Sequence, residues 1–437
     1  MKNLLLTLLA INVVACSGQS ELAQQAPPEN SGIAVLIKEA PAYPMGPCEP
    51  SIAININNPA NIVAGSILDR VYYSNDSGKT WITDDLDSPY GVWGDPVIVS
   101  DANGRFLFFH LSDPTGKNWA SEEILDRIVC QWSDDGGENW SDGSYMGLDH
   151  PKDQDKEWAA VDLRNNNVYC TWTQFDDYGS KEDEDQSNIL FSMSEDGGEN
   201  WSKAIQINEK SGGCLDDDNT TEGAVPSVGP NGEVYVAWAL SEEIWFDKSL
   251  DGGQTWLEND IKVADQPGGW DVDIEGIQRS NGMPVTGCDV TEGPNRGTVY
   301  VVWSDHRRDE DPMDIWLAKS TDEGETWSEP IRVNQDETNN VQFLPWLAVD
   351  PITGDLHVVF YDRRAHDDNH TDVYVASSSD GGTTWTEQRV NDESFLPIAQ
   401  IFFGDYNNIS AYNGMVRPIW TEFRGGKLQV WTALMDN

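Results

Sequence analysis

The chain predicts an all-β fold, a seven-bladed β-propeller. Three observations carry that reading: an eight-residue phrase repeated six times, a second repeat of seven units interleaved with it, and a short β run ahead of both. The phrase is Ser-x-Asp-x-Gly-x-(Thr/Asn)-Trp, at Ser74–Trp81, Ser133–Trp140, Ser194–Trp201, Ser249–Trp256, Ser320–Trp327 and Ser378–Trp385. Start-to-start spacings of 59, 61, 55, 71 and 58 residues are too long for a solenoid and suit one four-stranded blade per repeat. Locally, the Ser and Asp oxygens accept from turn amides, Gly supplies φ > 0, and the Trp folds back over the hairpin.

The second repeat lies upstream of each phrase. Pro50 pairs with Asn55, Pro96 with Asp101, Glu157 with Asp162 and Pro226 with Asn231. Pro284 pairs with Asp289, Pro345 with Asp350 and Asp405 with Ser410. Each pair leads into a β-rich run such as Val234–Trp238, Val299–Trp303 or His357–Tyr361. These are seven inner-strand units for six phrases. The last unit stops after Leu428–Trp431, where its phrase would begin, and so lacks an outer strand. The run Ile33–Ile37 is placed to fill the gap, closing the ring and removing both sheet edges. Six blades is the alternative count. With this phasing, loops that lead into inner strands share one face with loops that leave second strands. The repeated hairpins occupy the other face.

Composition fits this reading. Nineteen Trp, 13 Tyr and 38 Gly in 437 residues indicate β structure with many turns. A balance of 27 basic and 75 acidic residues, net −48, repels phosphates and argues against nucleic acid as a partner. The N-terminus reads as a targeting segment. Met1-Lys2 precedes an apolar run, Leu4–Ala15, too short to span a bilayer. Val13-Val14-Ala15-Cys16 is similar to a lipobox, with Cys16 as the lipidated residue. The expected organisation is signal peptide 1–15, tether 16–31 and propeller 32–437. The expected location is the bacterial cell envelope, the outer membrane or cell surface, with membrane contact only through the lipid and the protein monomeric. The five remaining cysteines allow at most two disulfides.

The repeated phrase resembles the Asp-box, or BNR repeat, of the sialidase superfamily, across about residues 49–437. The resemblance implies a propeller fold and a superfamily that includes glycan-acting enzymes and binding proteins. Sialidases use three arginines for the substrate carboxylate, a Tyr activated by Glu, and an Asp acid/base. Their first arginine sits in an Arg-Ile-Pro-like segment ahead of the first box. Here the only arginine between Cys16 and Ser74 is Arg70, in Asp69-Arg70-Val71, which does not match. The chain is therefore not a close match to true sialidases.

Candidate site residues come from the loop face. His110 and His150 suit proton transfer near neutrality. Asp95, Glu157 and Asp405, the last followed by Tyr406, stand at the starts of inner strands, as do Glu49 and Glu222. Asp95, Glu157 and Tyr406 join the histidines as catalytic candidates. Arg307, Arg364 and Arg424 recur at one repeat position, in Trp303-x-Asp305-x-Arg307, Phe360-x-Asp362-x-Arg364 and Trp420-x-Glu422-x-Arg424. With His366 they are expected to bind an anionic substrate; a blade-tying salt bridge is the alternative for the arginines. No cofactor is expected, although the acidic loops (Asp176-Asp177, Asp216–Asp218, Asp367-Asp368) are of the kind that holds Ca²⁺.

The functional expectation is a lyase or dehydratase that abstracts a proton from uronate-containing poly- or oligosaccharides. A sialidase-like glycoside hydrolase and a non-catalytic glycan- or protein-binding propeller are the alternatives.

Overall fold

A computed structural model describes residues 32–40, 46–308 and 312–436. Seven antiparallel sheets are arranged as a propeller, with inner strands Ser51–Ile54, Gly94–Ser100, Asp153–Asp162, Glu222–Val228, Val285–Cys288, Gln342–Val349 and Asn408–Tyr412. The seven-bladed expectation holds. The targeting segment, Cys16 and the tether lie outside the described residues.

Ring closure follows the expected route. Ala34–Glu39 pairs antiparallel with Lys427–Ala433, running from Ala34 opposite Ala433 to Glu39 opposite Gln429, and supplies the outer strand of blade 7. Glu39 fixes the register by accepting from Lys427 Nζ at 2.6 Å and from Gln429 Nε2 at 2.7 Å.

Each box is a self-contained turn. In the fifth, Asp322 Oδ1 accepts from Ser320 Oγ (2.7 Å) and Thr326 N (2.9 Å), and Oδ2 accepts from Thr326 Oγ1 (2.6 Å). Ser320 Oγ in turn accepts from Gly324 N. These donors hold the Asp322 carboxyl down at about 2. Basic side chains then fasten one blade to the box turn of the next. Lys248 donates to Glu323 O, Lys319 to Gly381 O and, across the closure, Arg417 to Ser77 O.

The core lies between blades. Trp172, Trp238, Trp303 and Trp420 on second strands are fully buried, which makes inter-sheet burial the main stabilising term. All five described cysteines are free and buried.

Candidate functional site

Four of the seven inner strands begin at the ring axis with β-bulges. Register shifts fall at Gly94/Val97, Asp155/Trp158, Glu222/Val225 and Phe343/Trp346. The residue after each shift point is left-handed: Asp95 (φ 50°), Lys156 (φ 52°), Gly223 (φ 76°) and Leu344 (φ 50°). Blade 1 places Glu49 (φ 53°) just before its inner strand in the same conformation. Glycine adopts it freely, whereas each side-chain-bearing residue costs roughly 1–3 kcal/mol. Gly223 has a second constraint, since a Cβ there would lie 2.5 Å from the Trp270 ring. A bulge re-aims side chains, and here it brings ionisable groups from different blades together at the axis.

Lys156 is the hub. Its Nζ lies 3.1 Å from Asp405 Oδ1 and 3.5 Å from Asp95 Oδ2. Arg279 arrives from the segment between blades 4 and 5. One guanidinium nitrogen is 2.7 Å from Asp405 Oδ2 and 3.6 Å from Glu49 Oε1, and another is 3.9 Å from Asp216 Oδ2. Asp216 also accepts from Tyr178 Oη and from Trp270 Nε1, both at 2.9 Å. Seven acidic side chains (Glu49, Asp95, Asp155, Glu157, Asp216, Glu222, Asp405) thus share the site with two cations, Lys156 and Arg279.

Environment divides the carboxyls into two kinds. Burial pushes Asp405 up, but Arg279 and Lys156 outweigh it and hold the group well below the usual range. Burial, with Asp95 beside it, pushes Asp155 up to about 8. Glu157 and Glu222 are raised well above the ordinary value, again chiefly by burial. Asp405 is therefore held toward its ionised form and Glu157 toward its protonated form. Neither Glu157 carboxyl oxygen bonds another residue, and the buried Tyr406 hydroxyl has no partner. The Tyr406 ring lies between Lys156 Nζ, 5.5 Å from its centroid, and the edge of Trp158 at 5.1 Å. Trp158 also packs on Trp346 at 4.2 Å. The same two indoles line an axial channel of about 290 Å³, whose wall mixes apolar residues such as Ile52 and Val97 with Ser51, Thr286 and Asn408.

Of the sequence-derived candidates, Asp95, Glu157 and Tyr406 meet in this bowl. The histidines do not. His110 is fully buried within blade 2, bonded to Leu111 O (2.8 Å) and Gln131 Oε1 (3.2 Å), and burial lowers it to about 4. His150 is exposed on a surface turn. His366 sits 3.0 Å from Asp372 Oδ2 in blade 6.

Nor do the three arginines converge. Arg307 pairs with Asp305, which also accepts from the Trp303 indole; Arg424 pairs with Glu422, which accepts from Trp420. Arg364 clamps Asp362 and, at 2.7 Å, Glu387 on the outermost strand. The repeated Asp/Glu-x-Arg is first an ion pair within its own blade, because the buried acid needs a counter-charge. Arg307 also donates to Asp265 O of blade 4 and Arg424 pairs with Glu393 beyond the outer strand of blade 6, so the blade-tying alternative describes part of what they do. Among the described residues, no group of three or more His, Cys, Asp or Glu side chains is arranged to hold a metal ion.

Lys156 and Arg279 were not singled out by the sequence reading. A signal for Arg279 was available: the 71-residue spacing between the fourth and fifth boxes marks extra chain between blades 4 and 5. Lys156 had only its neighbours, Asp155 and Glu157.

A seven-bladed propeller with an ionisable bowl at its axis is the class that fold and site define. Residues 297–415 match the family described as BNR repeat-like domain. Among solved structures, an alpha-L-arabinofuranosidase from Fusarium graminearum in complex with an iminosugar inhibitor superposes with a TM-score of 0.50 at 12% identity, over 92% of this chain and 97% of that one. The NanB sialidase of Streptococcus pneumoniae aligns with a TM-score of 0.49 at 12% identity, over 78% of this chain and 68% of the other. No curated protein matches in sequence. The likeness to the BNR repeat-like family thus rests on residues 297–415, about a quarter of the chain, and the solved structures add the propeller fold alone.

Proposed function

We propose that this propeller is a glycoside hydrolase whose chemistry is carried by carboxyl groups in the axial bowl. The observation that carries the reading is Glu157: buried, pushed toward its protonated form by that burial, unbonded to other residues, and next to Asp95. A carboxylic acid kept neutral by burial, beside a second carboxyl in a different setting, is the arrangement that protonates a glycosidic oxygen while its partner works at the anomeric carbon. Glu157 is assigned as the proton donor, and Asp95, 3.5 Å from the Lys156 ammonium, as the second carboxyl. The Tyr406 hydroxyl, without a partner, lies near both Asp95 and Glu157. Arg279, two-fifths exposed where the other bowl residues are nearly covered, swings aside to admit a sugar ring.

The elimination reading has less support. It needs guanidinium groups to neutralise a uronate and a histidine or tyrosine to take its proton; Arg307, Arg364, Arg424 and His110 are all engaged elsewhere, which leaves Arg279 and Tyr406 at the bowl for those roles. The deciding experiment incubates the protein and its Glu157→Gln variant with a panel of polysaccharides, following reducing ends and ultraviolet absorbance in parallel. Hydrolysis gives reducing ends without a new C=C chromophore, at a rate at least about 100-fold lower in the variant. A growing chromophore would instead establish elimination.

A further inference from the structure

We propose that a second saccharide-binding subsite lies outside the bowl, with Trp119 as its stacking platform, and that it takes a neutral sugar ring. This rests on the glycan reading above and specifies the substrate. Trp119 sits on a single helical turn, Asn118–Ala120, in the loop between the second and third strands of blade 2. Its side chain is 56% exposed, yet it is held. The ring stacks on Tyr178 (centroids 5.7 Å, 28° between planes) and meets Trp93 edge-on (6.1 Å, 87°). Asn118 N donates to Asp113 Oδ2 at 3.0 Å and fastens the turn. An indole this exposed and this fixed loses little freedom when a ligand covers it, which favours binding.

Beside Trp119 and Tyr178 lies a cavity of about 410 Å³, further lined by Glu122, Asp153, Asp176 and Asp177. Tyr178 N already occupies Asp153 Oδ2, and Lys152 Nζ lies 3.0 Å from Asp176. Carboxylates of this kind accept hydrogen bonds from sugar hydroxyls while the CH face of the ring lies on the indole. They also select by charge. Four acidic side chains against one lysine repel a uronate or any other anionic sugar. The proposal departs from the acidic-glycan expectation drawn from Arg307, Arg364 and Arg424, whose guanidinium groups are paired with Asp305, Asp362 and Glu422.

The subsite and the bowl share a wall. Tyr178, which supports the Trp119 ring, donates through its hydroxyl to Asp216, the carboxylate that faces Arg279. A glycan chain with one unit in the bowl therefore extends over Tyr178 onto Trp119.

The test is calorimetric titration of the full chain, Trp119→Ala and Trp119→Phe with neutral arabino- and xylo-oligosaccharides of increasing length and with oligogalacturonate. Expected are binding of a neutral series, a loss of about tenfold in Trp119→Ala that grows with oligomer length, and recovery of most of it in Trp119→Phe. Equal affinity of wild type and Trp119→Ala, or no binding of any neutral oligomer, would overturn the subsite even if hydrolysis were found. Oligogalacturonate as the preferred ligand would overturn its neutral character. Loss of affinity in Trp119→Ala without any hydrolysis would sink the catalytic reading and leave the subsite standing.

Discussion

Lys156 Nζ lies 3.1 Å from Asp405 Oδ1, and both side chains are only 2% exposed, although 249 positions separate them in the chain. The pair links blade 3 to blade 7 across the ring axis. It also shapes the charge of the bowl, because Lys156 and Arg279 hold Asp405 toward its ionised form while burial pushes the Glu49 and Glu157 carboxyls up. Removing one member of such a pair strands a buried charge. Lys156→Met is expected to lower stability by about 3–5 kcal/mol in urea denaturation. The double variant Lys156→Met/Asp405→Asn should be more stable than Lys156→Met alone. A single-variant loss below about 1 kcal/mol would show the pair to be solvated.

Asp155 gives a pH signature. Burial raises its carboxyl to about 8 in the folded protein, against roughly 3.9 when unfolded. The folded state thus binds the proton more tightly. Its contribution is complete below about pH 4 and is lost as pH rises through about 8. Asp155→Asn should leave stability at pH 4 nearly unchanged and raise it at pH 8, as read from denaturation midpoints at both values. Equal differences at the two pH values would contradict the assignment.

Arg364 and Arg279 should separate structural from functional guanidinium groups. Arg364 is the counter-charge of the fully buried Asp362, so Arg364→Ala is expected to destabilise by about 3–5 kcal/mol with KM unchanged in the surviving folded fraction. Arg279 is partly exposed at the mouth of the bowl. Arg279→Ala should change kcat/KM by tenfold or more and shift the melting temperature less than Arg364→Ala does.

The closing strand is the fourth test. Without residues 32–40, Lys427–Ala433 becomes an open sheet edge. Such an edge pairs with other chains. The truncated protein should melt at lower temperature and form concentration-dependent oligomers in light scattering, whereas the intact chain should not.

Much of the architecture was readable before any coordinates. The box places Ser, Asp, Gly and Trp at fixed offsets within one turn, and the side-chain bonds of its Ser and Asp close inside eight residues, as in Ser320–Trp327. Local chemistry repeated six times specifies a blade, and a blade that lacks a strand requires one from elsewhere, which Ala34–Glu39 supplies. Within the site, Asp95, Glu157 and Tyr406 were legible because they open inner strands. The misleading signal was the recurrent Asp/Glu-x-Arg. A motif repeated in several blades performs a task common to blades, here neutralising a buried acid, whereas a catalytic group occurs once.

The sequence by itself determined the blade, its count and its closure, since these follow from interactions between residues near in the chain or related by the repeat. Only the tertiary structure decided the bowl. Lys156 from blade 3, Arg279 from the blade 4–5 segment and Asp405 from blade 7 meet because ring closure brings the starts of the inner strands to one axis, where left-handed residues such as Asp95 and Lys156 turn the chain. Charge and burial are properties of that meeting point, and no single stretch of chain contains them.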